Sequence, residues 1–278
     1  MTNELFKLKE SIIKEEGVYV AKSFREVRDC DIVLSWSGGL DSTVLAYLLT
    51  DLYGNHINIS LPYIKLWGVD TNKIEKELEY RQKLFDEQFD KFDKVFTEVG
   101  EIKTFSFGGE NEGGVQPITW VTQLVHAAGN GARIVLGTLS TDSSLRYTEG
   151  LKKTADELAR YYNKYVYLET PLINTSKVDI IILGAKYDLL NKSWVCELPI
   201  KNDDDEIIHC GKCNSCSAHI SGCVSALAHK IPHTLSTKIR EHLKLVYNVE
   251  VPEFNPVLSY SLESMEHHVI NSLNKIAR

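Results

Sequence analysis

No apolar run in this sequence reaches the roughly 20 residues that a membrane-spanning helix needs. The first 31 residues mix both charges and lack the apolar core of a secretory signal. These two absences argue against a membrane protein and a secreted one. We therefore predict a cytoplasmic protein without a membrane partner.

Basic residues are in deficit, with 31 lysines and arginines against 38 aspartates and glutamates, for a net charge of −7. Such a chain has no general attraction for phosphate backbones, so we do not expect tRNA or DNA as its main substrate. Internal repeats and low-complexity tracts are also lacking. The 278 residues suit one large domain, with or without a smaller lobe.

Cysteine is scarce in most of the chain and crowded in one segment, since five of the six cysteines lie between positions 196 and 223. In a cytoplasmic chain this clustering predicts a metal site rather than disulfides. The cysteines with metal-ligand spacing are Cys196, Cys210, Cys213 and Cys216. They predict a tetrahedral, structural Zn²⁺ site, with an iron–sulfur cluster as the alternative. We expect Cys30 and Cys223 to be buried small side chains rather than ligands.

A glycine turn joins a predicted buried strand at residues 31–36 to a helical pattern. The turn reads Ser37-Gly38-Gly39-Leu40-Asp41-Ser42 and has neither the Gly-Lys-Ser/Thr ending of a Walker A loop nor the dinucleotide pattern G-x-G-x-x-G. Amides at a helix N-terminus attract anions, and glycine admits close approach. The turn therefore predicts a pyrophosphate site, with Asp41 holding Mg²⁺ or capping the helix. A purely structural turn is the alternative.

This turn resembles the PP-loop signature S-G-G-x-D-S of the ATP-pyrophosphatase superfamily. The resemblance implies that the loop holds the β- and γ-phosphates of ATP while the α-phosphate is attacked. Residues 134–138, Ile-Val-Leu-Gly-Thr, resemble a second element whose glycine lies near the nucleotide. The predicted nucleotide-binding set is Ser35, Ser37, Gly38, Gly39, Leu40, Asp41, Ser42, Gly137 and Thr138.

The alternation of strand and helix patterns predicts an α/β fold, with a parallel sheet flanked by helices. The resemblance implies the adenine nucleotide alpha hydrolase, or HUP-like, version of it. We predict strands at 31–36, 57–69 with an interruption at Pro62, 103–107, 133–137 and 165–168, and helices at 72–94, 120–128, 150–163, 177–190, 234–246 and 261–277. The predicted divisions are an N-terminal extension, 1–29, a nucleotide-binding domain, 30–192, a cysteine-rich and loop-rich zinc lobe, 193–230, and a C-terminal helical segment, 231–278.

The late cysteines resemble the 7-cyano-7-deazaguanine synthase (QueC) family. Trp194-Val195-Cys196 and then Cys210-Gly211-Lys212-Cys213-Asn214-Ser215-Cys216 are similar to its zinc site, and residues 170–184 are similar to the segment before it. The resemblance implies that ATP adenylylates 7-carboxy-7-deazaguanine, that ammonia gives an amide, and that a second ATP leads to the nitrile. It also implies a homodimer. Lys177 is a candidate to neutralise phosphate or carboxylate charge; a solvated lysine at a helix start is the alternative.

The chain departs from that family in several places. Residues 115–119 replace its V-P-x-R-N, and residues 141–147 only loosely echo its Y-P-D-C-R. His219 stands where the family has arginine, and Gly222-Cys223 replaces Gly-Phe. These departures leave two candidates for the nucleophile that accepts the acid. The acid is passed either to ammonia or, as in QueC-like paralogues of antiviral defence operons, to a protein amine.

Two further functions are weighed against these. A PP-loop tRNA thiolase with an iron–sulfur cluster is disfavoured by the acidic balance and by the late position of the cysteines. A non-catalytic nucleotide-binding module resembling universal stress proteins is disfavoured by the complete loop at Ser37–Ser42 and by the cysteine cluster.

Overall fold

The computed structural model describes residues 30–66, 70–102, 116–253 and 255–277. The strands there are β1 (Ile32–Leu34), β2 (Ile59–Leu66), β3 (Val95–Ile102), β4 (Arg133–Val135), β5 (Tyr167–Glu169), β6 (Ile200–Lys201) and β7 (Ile207–Ile208). The α-helices are α1 (Leu40–Tyr53), α2 (Thr71–Leu84), α3 (Gln116–Ala127), α4 (Thr148–Tyr161), α5 (Lys177–Lys186), α6 (Asn214–Leu227), α7 (His233–Tyr247) and α8 (Leu262–Ile276). No helix in these ranges is both long and apolar enough to cross a bilayer.

Five parallel strands form the main sheet in the order β3-β2-β1-β4-β5. The chain builds outward from β1 to β3, then crosses back to place β4 on the other side of β1. Loops that leave β1 and β4 at their carboxyl ends therefore diverge and open a crevice, where ligands bind in open α/β sheets. This architecture confirms the predicted fold class.

Strand β1 is apolar throughout because both faces of the sheet are covered, as is usual for parallel strands. Ile32 and Leu34 point into one core, with α1, α5, α6, α7 and α8, and Val33 points into the other, with α3 and α4. Alternating side chains of one short strand thus anchor both layers of helices. The start of α5 is fixed by a capping box between Ser176 and Asp179.

Two predicted boundaries in the first half of the sheet are wrong. Strand β2 runs through Pro62, because the regular ladder with β1 has ended there and the Pro62 carbonyl still accepts a hydrogen bond from the Trp36 amide at 3.1 Å. The helix predicted over 72–94 ends at Leu84 and is followed by a π-helical turn to Phe89. The edge strand β3 then pairs with β2 along its length. The sequence analysis missed it.

The cysteine segment also contains more regular structure than its predicted loop-rich character. It begins with the small antiparallel hairpin β6–β7 and ends in the 14-residue helix α6. Cys213 starts that helix, because its sulfur accepts a hydrogen bond from the Cys216 amide at 3.4 Å. The predicted extension 1–29 and strand 103–107 lie outside the described residues.

Candidate active site

The glycine turn after β1 packs tightly against helix α2. Gly38 has φ +84°, and a Cβ there would lie 3.1 Å from both the Arg81 Cγ and the Glu77 carbonyl oxygen. A side chain would meet both the left-handed backbone and this contact. Glycine is therefore required at position 38, as the pyrophosphate-loop prediction expects.

The Ser37 and Ser42 hydroxyl groups form hydrogen bonds within the turn. The Ser42 hydroxyl donates to the Gly39 carbonyl at 3.1 Å, and its oxygen lies 3.1 Å from the Ser37 oxygen. The Ser37 oxygen also accepts the Gly39 amide at 3.2 Å. The first-turn amides of α1, like those of any helix, lack helical carbonyl partners, and no side chain caps them. They lie at the crevice end of the sheet. An anion fits such a helix start.

The end of β4 meets this helix start. A Cβ on Gly137 would lie 3.4 Å from the Ser42 amide nitrogen, in van der Waals contact with it, so the two backbones approach each other closely there. Thr138 follows Gly137 and is half-buried beside it, and the Ser35 amide donates to the Val135 carbonyl at 3.1 Å. The structure therefore brings the two predicted glycine elements together. Leu40 differs from the rest of the predicted set: its side chain is in the core, so only its backbone is available to a ligand.

Asp41 and Lys177, 136 residues apart in sequence, form an ion pair. The Lys177 ammonium donates to the two Asp41 carboxylate oxygens at 2.7 and 3.0 Å, and both side chains are partly exposed. The Asp142 carboxylate, which accepts the Leu139 amide at 2.7 Å, lies within electrostatic range of both. Burial raises the pKa of Asp142, and the Asp41 carboxylate adds to that rise. Two carboxylates beside an anion site provide the hard oxygen ligands that Mg²⁺ prefers.

Arg81 supports the turn and was missed by the sequence analysis. Its guanidinium donates to the Trp36 carbonyl, to the Leu61 carbonyl at 2.9 Å and to the Thr97 hydroxyl at 2.9 Å. Its Cζ atom also lies 4.2 Å from the centroid of the Trp36 ring. The side chain is 3% exposed, and burial lowers its pKa to about 9. Arg81 thus ties the strand end that leads into the turn to strands β2 and β3.

A pocket opens beside the same strand end. Its lining residues are Ser35, Trp36, Ser37, Tyr63, Ile64, Lys73, Ile74, Glu77, Trp120 and Glu197. Lys73 pairs with Glu197 and lies 3.7 Å from Glu77, which accepts a hydrogen bond from the Tyr63 hydroxyl at 2.6 Å. Burial raises the pKa of Glu77 to about 7. The pocket thus combines aromatic faces with one cation and two carboxyl groups.

The four predicted metal ligands come together. The sulfurs of Cys196, Cys210, Cys213 and Cys216 all lie within 4.8 Å of one another. Main-chain amides donate to three of them, at 3.3 Å to Cys196 and Cys210 and at 3.4 Å to Cys213. Such hydrogen bonds stabilise thiolates, the form that binds metal. The residues therefore fit a four-thiolate metal centre, and zinc remains the prediction for its occupant.

Trp194 joins this centre to the glycine turn. Its main-chain amide donates to the Gly38 carbonyl at 2.9 Å, and its indole N–H donates to the Cys196 carbonyl at 2.9 Å. The metal ligands are therefore separate from the predicted nucleotide site but only a few bonds away from it. No signal in the sequence pointed to this contact.

Residues 120–226 match the family model described as "Queuosine biosynthesis protein QueC". The matched segment runs from α3 to α6 and includes all four clustered cysteines, and over it the chain is QueC-like. The turn at Ser37–Ser42 lies before it. The curated proteins compared with the chain include no relative that matches its sequence.

Among solved structures, the U34-tRNA thiolase NcsA from Methanococcus maripaludis with its [4Fe-4S] cluster is similar to this chain. The identity is 15% and the TM-score 0.41, over 96% of this chain and 87% of that one.

Proposed function

We propose that the chain is a QueC-like, ATP-dependent enzyme that adenylylates the carboxylate of 7-carboxy-7-deazaguanine, or of a related acid, and passes the acyl group to a nitrogen nucleophile. One observation carries the proposal: the S-G-G-L-D-S turn starts α1 at the crevice of the sheet, with Gly137 packed on the Ser42 amide. Main-chain amides with no side chain above them are the donors that a pyrophosphate group needs.

In this proposal the first-turn amides and the Ser37 and Ser42 hydroxyls bind the β- and γ-phosphates. Lys177 exchanges part of its pairing with Asp41 for a phosphate oxygen. Asp41 and Asp142 would hold Mg²⁺, which neutralises phosphate charge when bound. The acid oxygen then attacks the α-phosphorus, an acyl-adenylate forms and pyrophosphate leaves. The protein contributes mainly positioning and charge stabilisation.

The pocket beside Ser35 and Ser37 supports a flat heterocyclic acid. Trp120 and Tyr63 offer aromatic surface, while Glu77 and Glu197 offer acceptors for the ring N–H groups of a guanine-like edge. Lys73, paired with Glu197, is the basic residue in the pocket lining and would pair with the carboxylate of a bound acid. The placement of these side chains suits a 7-deazaguanine acid better than an aliphatic one.

The acceptor is ammonia in the first form of the proposal. The amide then forms with release of AMP, and a second activation of the amide oxygen by ATP leads to the nitrile by dehydration. The second form keeps the activation step and passes the acid to a protein amine as an amide bond. Residues 115–119 and 141–147, which depart from the family pattern, favour this second form.

Product mass spectrometry tests the proposal. The protein is incubated with ATP, Mg²⁺, 7-carboxy-7-deazaguanine and ¹⁵N-ammonia, with and without a lysate of a host cell, and pyrophosphate is measured in parallel. A labelled nitrile supports the first form, and a deazaguanine mass increment on a protein supports the second. Absence of acid-dependent pyrophosphate release with this acid and related ones would contradict both. The Asp41→Ala protein, which should give no product, controls for contaminating activity.

A further inference from the structure

Three metal-ligating side chains cluster outside the four-cysteine centre. His219 and Cys223 lie four residues apart on α6 and so share one face of that helix. His242, on α7, meets them across the helix interface, and the ligand atoms of the three residues lie within 4.8 Å of one another. All three are buried, with exposed fractions of 0, 0 and 2%. The sequence analysis treated Cys223 only as a small core side chain.

The ring atoms of this cluster point toward one another. The two Nε2 atoms face each other at 2.8 Å, and the His242 Nδ1 lies 2.6 Å from the Asn191 side-chain oxygen. Because an amide oxygen only accepts, the His242 Nδ1 carries the proton and its Nε2 presents a lone pair. A second-shell carbonyl on the far nitrogen fixes the tautomer of many metal-bound histidines.

A hydrogen bond between the two imidazoles accounts for the histidines alone. The His219 Nε2–H donates to the His242 Nε2 when no metal is bound, and the His219 Nδ1 has no hydrogen-bond partner in the described part of the chain with or without a metal. The third ligand atom distinguishes a metal site from ordinary packing. The Cys223 thiol, also buried, adds a soft ligand where a core would accept any small apolar side chain.

We propose that His219, Cys223 and His242 form a second metal site for a borderline divalent ion such as Zn²⁺. Two imidazoles and one thiolate suit zinc, with bonds of about 2.0 Å to nitrogen and 2.3 Å to sulfur. Tetrahedral bonds of these lengths place the ligand atoms roughly 3.3–3.6 Å apart, which small side-chain rotations reach from the present positions. Binding releases the thiol proton, and the fourth position is left to a water molecule.

The site would clamp α6 to α7 directly behind the candidate active site. Helix α6 already presses on α5, because a Cβ on Gly222 would lie 2.6 Å from the Ile181 Cδ1 and 3.1 Å from the Lys177 Cγ. The Lys177 ammonium acts electrostatically on His219 and Cys223 and is the charged side chain that the structure places near them. The metal would therefore hold in place the stem of the lysine that pairs with Asp41.

Metal stoichiometry decides the proposal. The full-length protein, freed of metal under reducing conditions, is dialysed against micromolar free Zn²⁺ and its bound zinc is measured. We expect two equivalents per chain, one of them lost in Cys223→Ala and in His242→Phe. Cys30→Ala, which removes another buried cysteine, keeps both. One equivalent in the unaltered protein, or two in Cys223→Ala, would overturn the proposal.

Cobalt provides a readout that does not depend on the variants folding. Thiolate-to-cobalt charge-transfer absorption grows with the number of Co–S bonds, so the unaltered protein should reach saturation in two phases. The first corresponds to four thiolates and the second to one. A single phase that ends at the first equivalent would contradict a second site, whatever the variants do.

Discussion

The sheet that carries the glycine turn and the lobe that carries the four cysteines are stabilised in different ways. Strand β1 is almost completely buried and belongs to both cores, so apolar packing positions the strand end from which the turn starts, and hydrogen bonds from Arg81 and Trp194 then hold the turn. Around the four cysteines, by contrast, the buried apolar cluster is little more than Trp194 and three of the cysteines themselves, and the hairpin strands are two residues long and largely exposed. In our proposal, metal binding supplies the order there.

The two regions nevertheless share one connection, the Trp194 segment between Gly38 and Cys196. Loss of metal should therefore disorder the lobe first and reach the nucleotide site through Gly38. Damage to the turn should leave the lobe intact. Variants in the lobe and variants in the turn both test this asymmetry.

The largest effect is expected from loss of the four-cysteine metal. Cys213→Ser removes one ligand while leaving a hydroxyl that can cap α6, so it isolates the loss of metal. The free energy of binding a structural zinc ion is roughly 10–16 kcal/mol. We expect the variant to lose its zinc and to be cleaved by protease between residues 196 and 213, while circular dichroism retains the signal of the sheet domain. Cys30→Ser serves as control, and protease resistance equal to that of the unaltered protein would contradict a lobe ordered by metal.

A smaller but still large effect is expected at the turn. Asp41→Ala should lower pyrophosphate release at least about 100-fold, comparable to losing one key electrostatic group at a reacting centre. Zinc content and melting temperature should stay unchanged, since Asp41 is partly exposed. The matched control, Asp51→Ala, changes an exposed carboxylate further along the same helix. Equal turnover in both variants would remove Asp41 from the site.

Two glycines allow the energetic cost of the close contact at Gly38 to be separated from the cost of its left-handed backbone. Gly38 and Gly131 have nearly the same φ, +84° and +87°, but only Gly38 has neighbours within 4 Å of an added Cβ. Both alanine variants should lose about 1 kcal/mol of unfolding free energy from the left-handed backbone. Gly38→Ala should lose roughly 1–2 kcal/mol more and bind ATP more weakly. Equal losses of unfolding free energy in the two variants, measured by denaturant titration, would show that Arg81 and Glu77 move aside at little energetic cost.

The smallest effect concerns the connection between the regions. Trp194→Phe keeps an aromatic ring but removes the indole N–H that the Cys196 carbonyl accepts. We expect a loss of about 1 kcal/mol, measured by denaturant unfolding, and slightly faster release of zinc to a chelator. Tyr80→Phe, which changes the neighbouring ring without touching that bond, should release zinc at the normal rate. Unchanged zinc release in Trp194→Phe would mean that the indole does not brace the centre.

Sequence patterns predicted best those features whose residues lie close together along the chain. The strand, turn and helix at residues 31–53 and the C-x₂-C-x₂-C spacing each lie within a short stretch of chain. The resemblance to PP-loop proteins added the approach of Gly137. Arg81 and Lys73 were missed because they lie on a charged helix whose pattern predicts solvent exposure, and only the fold buries them.

Other features depend on distant partners. The Asp41–Lys177 pair and the His242 contact with α6 join residues far apart in sequence, which periodicity does not detect. Helix α6 was read as a loop because its serines and Gly222 weaken the helical pattern, and its start depends on a cysteine acting as cap. Strand β3 lies between the predicted helix 72–94 and the predicted strand 103–107 and was left unassigned, because Glu98, Gly100 and Glu101 weaken its strand pattern.

A crystal structure of the protein with Mg²⁺ and a non-hydrolysable ATP analogue is the most direct test of the account. We predict that the β- and γ-phosphates lie on the amides of residues 38–42, with Lys177 turned toward a phosphate oxygen and Gly137 against the nucleotide. A triphosphate bound elsewhere, with this turn empty, would contradict it.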